Sequence, residues 1–304
     1  FEDKINNIVF PILVFTVLIS ATVLAWRNVR AGRGDRRGAW RLALFLVAVT
    51  MIAWIFTAHH VQAQSEYDMF LRALASSFAS GVTGWIMYLA FEPFARRYWP
   101  QSIISWTRLL SGRWRDPLVG RHVLQGALAG ATIGLLTNVS ALVALWTNSP
   151  KYHSELNIPP HMLGPRYAIG NAIGTLAAPT YFLGIFVLLL LLRIALRRQW
   201  LAMLVMAVLM MLVMVVPGLL EKDGPNWYSA ASGFVLSINL VYCMVYLGVL
   251  ATLTMIIVSI ACWSHPFTAD FSSWYAGLGL TGLVLIAAIA GYGFWIALAG
   301  QPLL

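Results

Sequence analysis

Two neighbouring histidines, His59 and His60, stand just ahead of Glu66 and Asp68, the one stretch where imidazoles and carboxylates gather as metal ligands could. Adjacent side chains on a helix point about 100° apart, so the pair makes a poor bidentate ligand. The helical HExxH pattern of zinc hydrolases is absent. The cluster reads as interfacial histidines, and no metal or other cofactor is expected. The chain also lacks GxSxG, GxxxxGK[ST], HRD and DFG. Neither acyl nor phosphoryl transfer has a residue to carry it, and no catalytic residue is assigned.

Glu92, with Phe91 before it and Arg96 four residues on, resembles half of the motif of CAAX-type intramembrane proteases, and Phe56 with His60 resembles another piece. The doubled glutamate is missing and the pieces come in the wrong order, so a local i,i+4 ion pair accounts for Glu92 and Arg96 better. Transport would place ionisable groups or helix interruptions in mid-membrane. The main polar intruders in the apolar runs are instead three amides, Asn138, Asn171 and Asn239, with Pro179 offering a kink near Asn171. Amides inside bundles commonly bond neighbouring helices. A polar mid-membrane cavity lined by them would point to transport; a solidly packed bundle with its basic loops on one face would point to anchoring and signalling.

The elements that hold these residues follow from composition. Of 304 residues, 60% are hydrophobic and 10% charged, a balance suited to lipid rather than water. Apolar stretches of about 18 residues or more cross a bilayer as helices. They occur at 8–26, 40–58, 73–91, 123–146, 168–192, 200–217, 234–263 and 275–298. The predicted fold is all-α: a polytopic transmembrane helical bundle of about eight spans plus one interfacial helix, with 1–304 as a single membrane domain. The seventh run is the longest and is open to tilt or breakage. Cys243 and Cys262 share it and, on one helix, would stand about 28 Å apart, beyond disulfide reach.

The formal charge of +9 comes mainly from arginines in short loops, as positive-inside orientation requires, and nucleic acid is not an expected partner. Arg27, Arg30, Arg33, Arg36, Arg37 and Arg41 follow the first span; Arg96, Arg97, Arg108, Arg113, Arg115 and Arg121 follow the third; Arg193, Arg197 and Arg198 follow the fifth. The intervening segments carry Glu66 and Asp68, then Lys151, Glu155 and Arg166, then Glu221, Lys222 and Asp223. This alternation predicts basic loops in the cytoplasm and both ends outside. The chain begins at Phe1, and the first run has span length with no cleavage site after it. It reads as a fragment, and a cytoplasmic part upstream would need one further span.

The segment 93–117 is too polar to span. It sets Ile103, Ile104, Trp106, Leu109 and Leu110 on an apolar arc with Ser105 and Arg108 opposite, the pattern of an interfacial helix opened by Pro100. Arg96, Arg97, Arg108, Arg113 and Arg115 are the candidate contacts to lipid headgroups. Small residues recur at four-residue spacing at Ser76, Ser80 and Gly84, at Gly126, Gly130 and Gly134, and at Gly170 and Gly174. These are candidate helix-packing positions, with intramolecular packing favoured and a homodimer face as the alternative.

Four stretches carry a resemblance: Arg27 to Arg41 (RNVRAGRGDRRGAWR), Tyr88 to Arg121 (YLAFEPFARRYWPQSIISWTRLLSGRWRDPLVGR), Arg197 to Leu201 (RRQWL) and Ser273 to Leu303 (SWYAGLGLTGLVLIAAIAGYGFWIALAGQPL). They resemble the carboxy-terminal polytopic membrane region of bacterial serine/threonine protein kinases common in Acidobacteria-like lineages. The resemblance implies a cytoplasmic kinase domain in the same polypeptide, ahead of the membrane region, a membrane anchor that is also a candidate sensor, and a multi-pass location in the bacterial cytoplasmic (inner) membrane. No kinase motif is present, so no catalytic residue carries over. A small-molecule transporter or a membrane-complex subunit is the alternative.

Overall fold

Without water to satisfy it, a backbone in lipid must bond within its own segment, and every regular element among the described residues is helical. The structure, a computed structural model, describes residues 10–60, 64–146, 163–219, 227–268 and 270–298. Its helices are α1 (Phe10–Arg30), α2 (Arg36–Thr57), α3 (Gln64–Tyr98), α4 (Pro100–Leu110), α5 (Pro117–Trp146), α6 (Pro165–Thr175), α7 (Pro179–Leu196), α8 (Gln199–Leu219), α9 (Trp227–Tyr242), α10 (Val249–Ser264) and α11 (Ala276–Ala297). A π turn, Cys243–Leu247, joins α9 to α10. Six helices are long and apolar enough to cross a membrane: α1, α2, α3, α8, α9 with its π turn, and α11. Their number makes the chain a multi-pass helical membrane protein.

Local chemistry sets the boundaries. Asp35 caps α2 by accepting the Gly38 N–H at 2.9 Å, and prolines occupy the first turn of α4, α6 and α7, where no N–H is needed. The predicted span 73–91 is part of a longer helix, because Pro93 lies inside α3 without ending it. Only 100–110 of the predicted interfacial segment therefore forms a separate helix. The predicted span 168–192 is interrupted between α6 and α7, where Leu176, Ala177 and Ala178 form a turn.

The largest correction concerns the predicted span 234–263. Gly134 of α5 packs on Cys262, Gly130 on Met255 and Val258, and Gly126 on Ala251 and Thr254, so α10 runs parallel to α5. Gly233 of α9 packs on Met214 of α8, while Met203 and Met244 line one small cavity, so α9 runs antiparallel to α8. The chain turns back at the π turn and Gly248, so the predicted single span is two helices of opposite direction. Gly248 has φ +86° and a Cβ there would lie 2.5 Å from the Ser102 carbonyl oxygen, so both its conformation and its contact require glycine. Cys243 thus opens the π turn and Cys262 lies near the end of α10, both free.

α11 meets the beginning of α5, with Gly293 against Leu124 and Gly120 against Ala297, and therefore runs antiparallel to it. Ala297 ends on the face that carries Arg108 and Trp114, whereas Phe10 begins on the opposite one. Phe10 and Ala297, the first and last helical residues described, thus stand at opposite ends of the bundle. Phe1, Leu304, Lys151, Glu155, Glu221, Lys222 and Asp223 lie outside the described residues.

The core forms where small residues let backbones meet. α10 is the most enclosed helix, with Val249, Ala251, Val258 and Ala261 fully buried. On α3 the face against α2 is Ser77, Gly81 and Gly84. It is not the predicted Ser76, Ser80 and Gly84: Ser76 is exposed and Ser80 half-buried. Gly170 packs on Phe56 and Thr57 of α2, and Gly174 lies 3.6 Å from the Ala53 Cβ.

Candidate functional site

Three of the chain's arginine-rich segments meet at one end of the bundle. α1 and α3 bring Arg27, Arg30, Arg96 and Arg97 there, the turns add Arg33, Arg113 and Arg115, and α7 ends at Arg193 and Arg197. Hydrogen bonds between segments fix this face. Asn28 donates to the Leu89 carbonyl at 2.9 Å, tying α1 to α3. The Arg41 guanidinium reaches the Leu110 carbonyl at 2.7 Å, tying α2 to α4. Tyr292 donates to the Trp114 carbonyl at 2.6 Å, tying α11 to the α4–α5 turn.

Glu92 is the organising acid. Its side chain is 2% exposed, pairs with Arg96 one helical turn on, and accepts the Asp35 backbone N–H at 3.1 Å. The likeness to an intramembrane protease thus rests on a buried capping carboxylate. Glu92 lies on the basic face, whereas His60 lies at the far end of α2. There His60 Nδ1 meets Glu66 at 2.6 Å and its Nε2 meets the Ile55 carbonyl at 3.0 Å. The Glu66 carboxylate, and secondarily that carbonyl, raise the His60 pKa above 6.5. Arg166 donates to the Ala58 carbonyl on the same end. No group of three metal-ligating side chains converges among the described residues.

The predicted headgroup arginines divide into two kinds. Arg108 is bound through Nη1 to both Asp116 oxygens at 2.9 Å, and Arg96 is bound to Glu92, so both are engaged by carboxylates. Arg97, Arg113 and Arg115 are exposed, with Arg97 5.5 Å from the Tyr98 ring. The helix α4 does not lie flat with Ser105 outward. Ser105, Ile103 and Trp106 are buried, and α4 packs beneath α10, α3 and α5. Ser105 Oγ is 2.7 Å from His122 Nδ1, a serine–histidine pair joining α4 to α5. Ser105 is 0% exposed, so no substrate reaches its hydroxyl and the pair acts as a latch. Nothing local in the sequence marks it, because the partners come from different helices. The Asp35 cap was legible as an acid placed just before an amphipathic run.

The three amides do not assemble. Asn138 donates to the Gly134 carbonyl of its own helix at 2.7 Å, and Asn239 accepts from the Cys243 thiol at 3.4 Å. The Asn171 amide nitrogen is buried beside the α6–α7 break with no partner. None of the three lines the clefts of the basic face. The cavity among α3, α4, α7, α8 and the π turn is apolar in lining and about 10 Å³ in volume, room for about one water. Comparison of the chain with protein-family models, curated proteins and solved structures returned no match.

Proposed function

We propose that this chain is the membrane-anchoring and signal-transducing region of a receptor-like bacterial serine/threonine kinase. The observation that carries the anchoring reading is the gathering of the basic loops on one face of the bundle; among the described residues Asn138, Asn171 and Asn239 do not come together. The resemblance of the loop motifs to kinase-associated membrane regions supplies the kinase. The basic face is cytoplasmic under the positive-inside rule, and we count nine crossings: α1, α2, α3, α5, the broken pair α6–α7, α8, α9, α10 and α11. α10 has 16 residues, about 24 Å of helix, and most of its length from Val249 to Ala261 is buried within protein.

The bundle holds the kinase at the membrane and raises its local concentration, which favours autophosphorylation. Switching requires a stimulus with different affinities for two arrangements of the helices. The full-length product purified from membranes is expected to transfer phosphate from ATP to serine or threonine. Replacing the bundle with an unrelated multi-pass anchor is expected to preserve attachment and abolish regulation. Absence of phosphate transfer would remove the kinase from the reading, and regulation that survives the replacement would remove the sensing.

A further inference from the structure

A cleft of about 500 Å³ opens on the basic face between the ends of α1, α3 and α7, within the range of sites that hold small organic ligands. Leu24, Phe94 and Ile194 make its apolar wall, Tyr98 an aromatic one, and Arg27 and Arg33 its charged rim; no carboxylate lines it. Asn28, at its floor, commits its amide to the Leu89 carbonyl. Glu92, on the adjoining turn of α3, is occupied by Arg96 and the Asp35 N–H; Arg33 also borders the neighbouring cleft that holds Asp35 and Glu92, but among the described residues no ion pair joins either rim arginine to an acid. Arg193 lies 5.5 Å from the Tyr98 ring and adds a third cation at the edge.

We propose that this cleft is a specific site for an anionic glycerophospholipid, its phosphate held by Arg27 and Arg33 and the start of its acyl chains laid along Leu24, Phe94 and Ile194. The chemistry has two halves that match the two walls. Guanidinium forks pair with phosphate oxygens in a fixed geometry that a diffuse surface charge does not supply. The apolar wall continues onto the lipid-facing sides of α1 and α7, whose polar ends stand at headgroup depth. A free phosphate would satisfy the rim and leave the wall wet. The site differs from the arginines of the α4–α5 turn, whose cleft is formed by Gly112 to Asp116 and includes a carboxylate. The proposal rests on the membrane reading of the chain.

The test is native mass spectrometry of the full chain, purified in detergent, stripped of lipid and titrated with phosphatidylglycerol or phosphatidylcholine of identical acyl chains. The wild type is expected to take its first phosphatidylglycerol at least about tenfold more tightly, since each arginine near the headgroup contributes several-fold. Arg27→Gln with Arg33→Gln is expected to bring the two lipids to parity. Arg37→Gln with Arg121→Gln, removing two exposed charges elsewhere on the same face, is expected to leave the preference intact. Equal binding of both lipids by the wild type, or equal loss in both double variants, overturns the site. Displacement of phosphatidylglycerol by equimolar glycerol 3-phosphate overturns the lipid as ligand. The membrane reading is scored separately: a chain extracted from membranes by alkaline carbonate fails it.

Discussion

Gly130→Ala tests the packing argument most directly. An added Cβ would stand 2.5 Å from the Met255 carbonyl oxygen and 2.8 Å from the Val258 Cβ. Ordinary contact begins near 3.4 Å, so α5 and α10 must separate locally by about 0.9 Å. Pivoting does not relieve this, because Gly126 and Gly134, one turn away on either side, are as tightly met, at 2.3 Å by the Ala251 oxygen and 2.5 Å by the Cys262 Cβ. Overpacking of this kind costs about 1–3 kcal/mol, and alanine's better helix propensity returns up to about 1 kcal/mol. The net loss, about 1–2 kcal/mol, corresponds to a midpoint lower by roughly 2–8 °C. Gly291 on α11 has nothing within 4 Å of its would-be Cβ, so Gly291→Ala keeps only the favourable part and should match or exceed the wild type. Thermal unfolding in detergent, read by a thiol-reactive dye at buried Cys243 and half-buried Cys262, compares the two. A Gly130→Ala midpoint no lower than that of Gly291→Ala would refute the close approach of α5 and α10.

Three further outcomes are expected. Phe271→Cys, 77% exposed beyond α10, should label with an impermeant maleimide in intact cells, whereas Trp114→Cys, 65% exposed on the basic face, should label only after permeabilisation; the reverse pattern, or labelling of both alike, would contradict the nine-crossing topology. Glu92→Ala leaves the Asp35 N–H and Arg96 without their acceptor and should cost about 2–3 kcal/mol. Glu92→Gln, still able to accept that N–H, should cost less in the same melting assay. The Glu66 contact holds the His60 pKa above 6.5, so its stabilisation is complete below that value and is lost as pH rises through the folded pKa. The thermal midpoint of the wild type relative to His60→Gln should therefore fall as pH is raised from about 6 to about 9. A difference that stays flat or grows would show that the imidazolium form is not the one bound.

Much was legible in the sequence because lipid leaves a chain few choices. Apolar runs of span length must become helices, so the all-helical class and the approximate places of α1, α2, α5, α8 and α11 followed from composition alone. Arginine placement identified most of the segments that meet on the basic face, since those charges cannot enter hydrocarbon. The glycines of α5 were readable for the same reason: small residues at four-residue spacing align on one side of any helix.

What tertiary structure decided is what hydropathy cannot register. The turn at Cys243 to Gly248 contains no charge, so thirty residues that read as one apolar run are divided by a π turn and a glycine into two helices of opposite direction. On α3, small residues one position apart differ in burial, Ser76 exposed beside buried Ser77 and Ser80 half-buried beside buried Gly81, and the approach of α2 selects Ser77 and Gly81. Whether an arginine is free is settled by partners distant in sequence or turned toward it: Asp116 takes Arg108 and Glu92 takes Arg96, while the fold leaves Arg27 and Arg33 together on the rim of one cleft. The sequence placed the chain in lipid through the cost of burying backbone and charge; the packing of its helices then decided which faces meet and which charges carry a carboxylate partner.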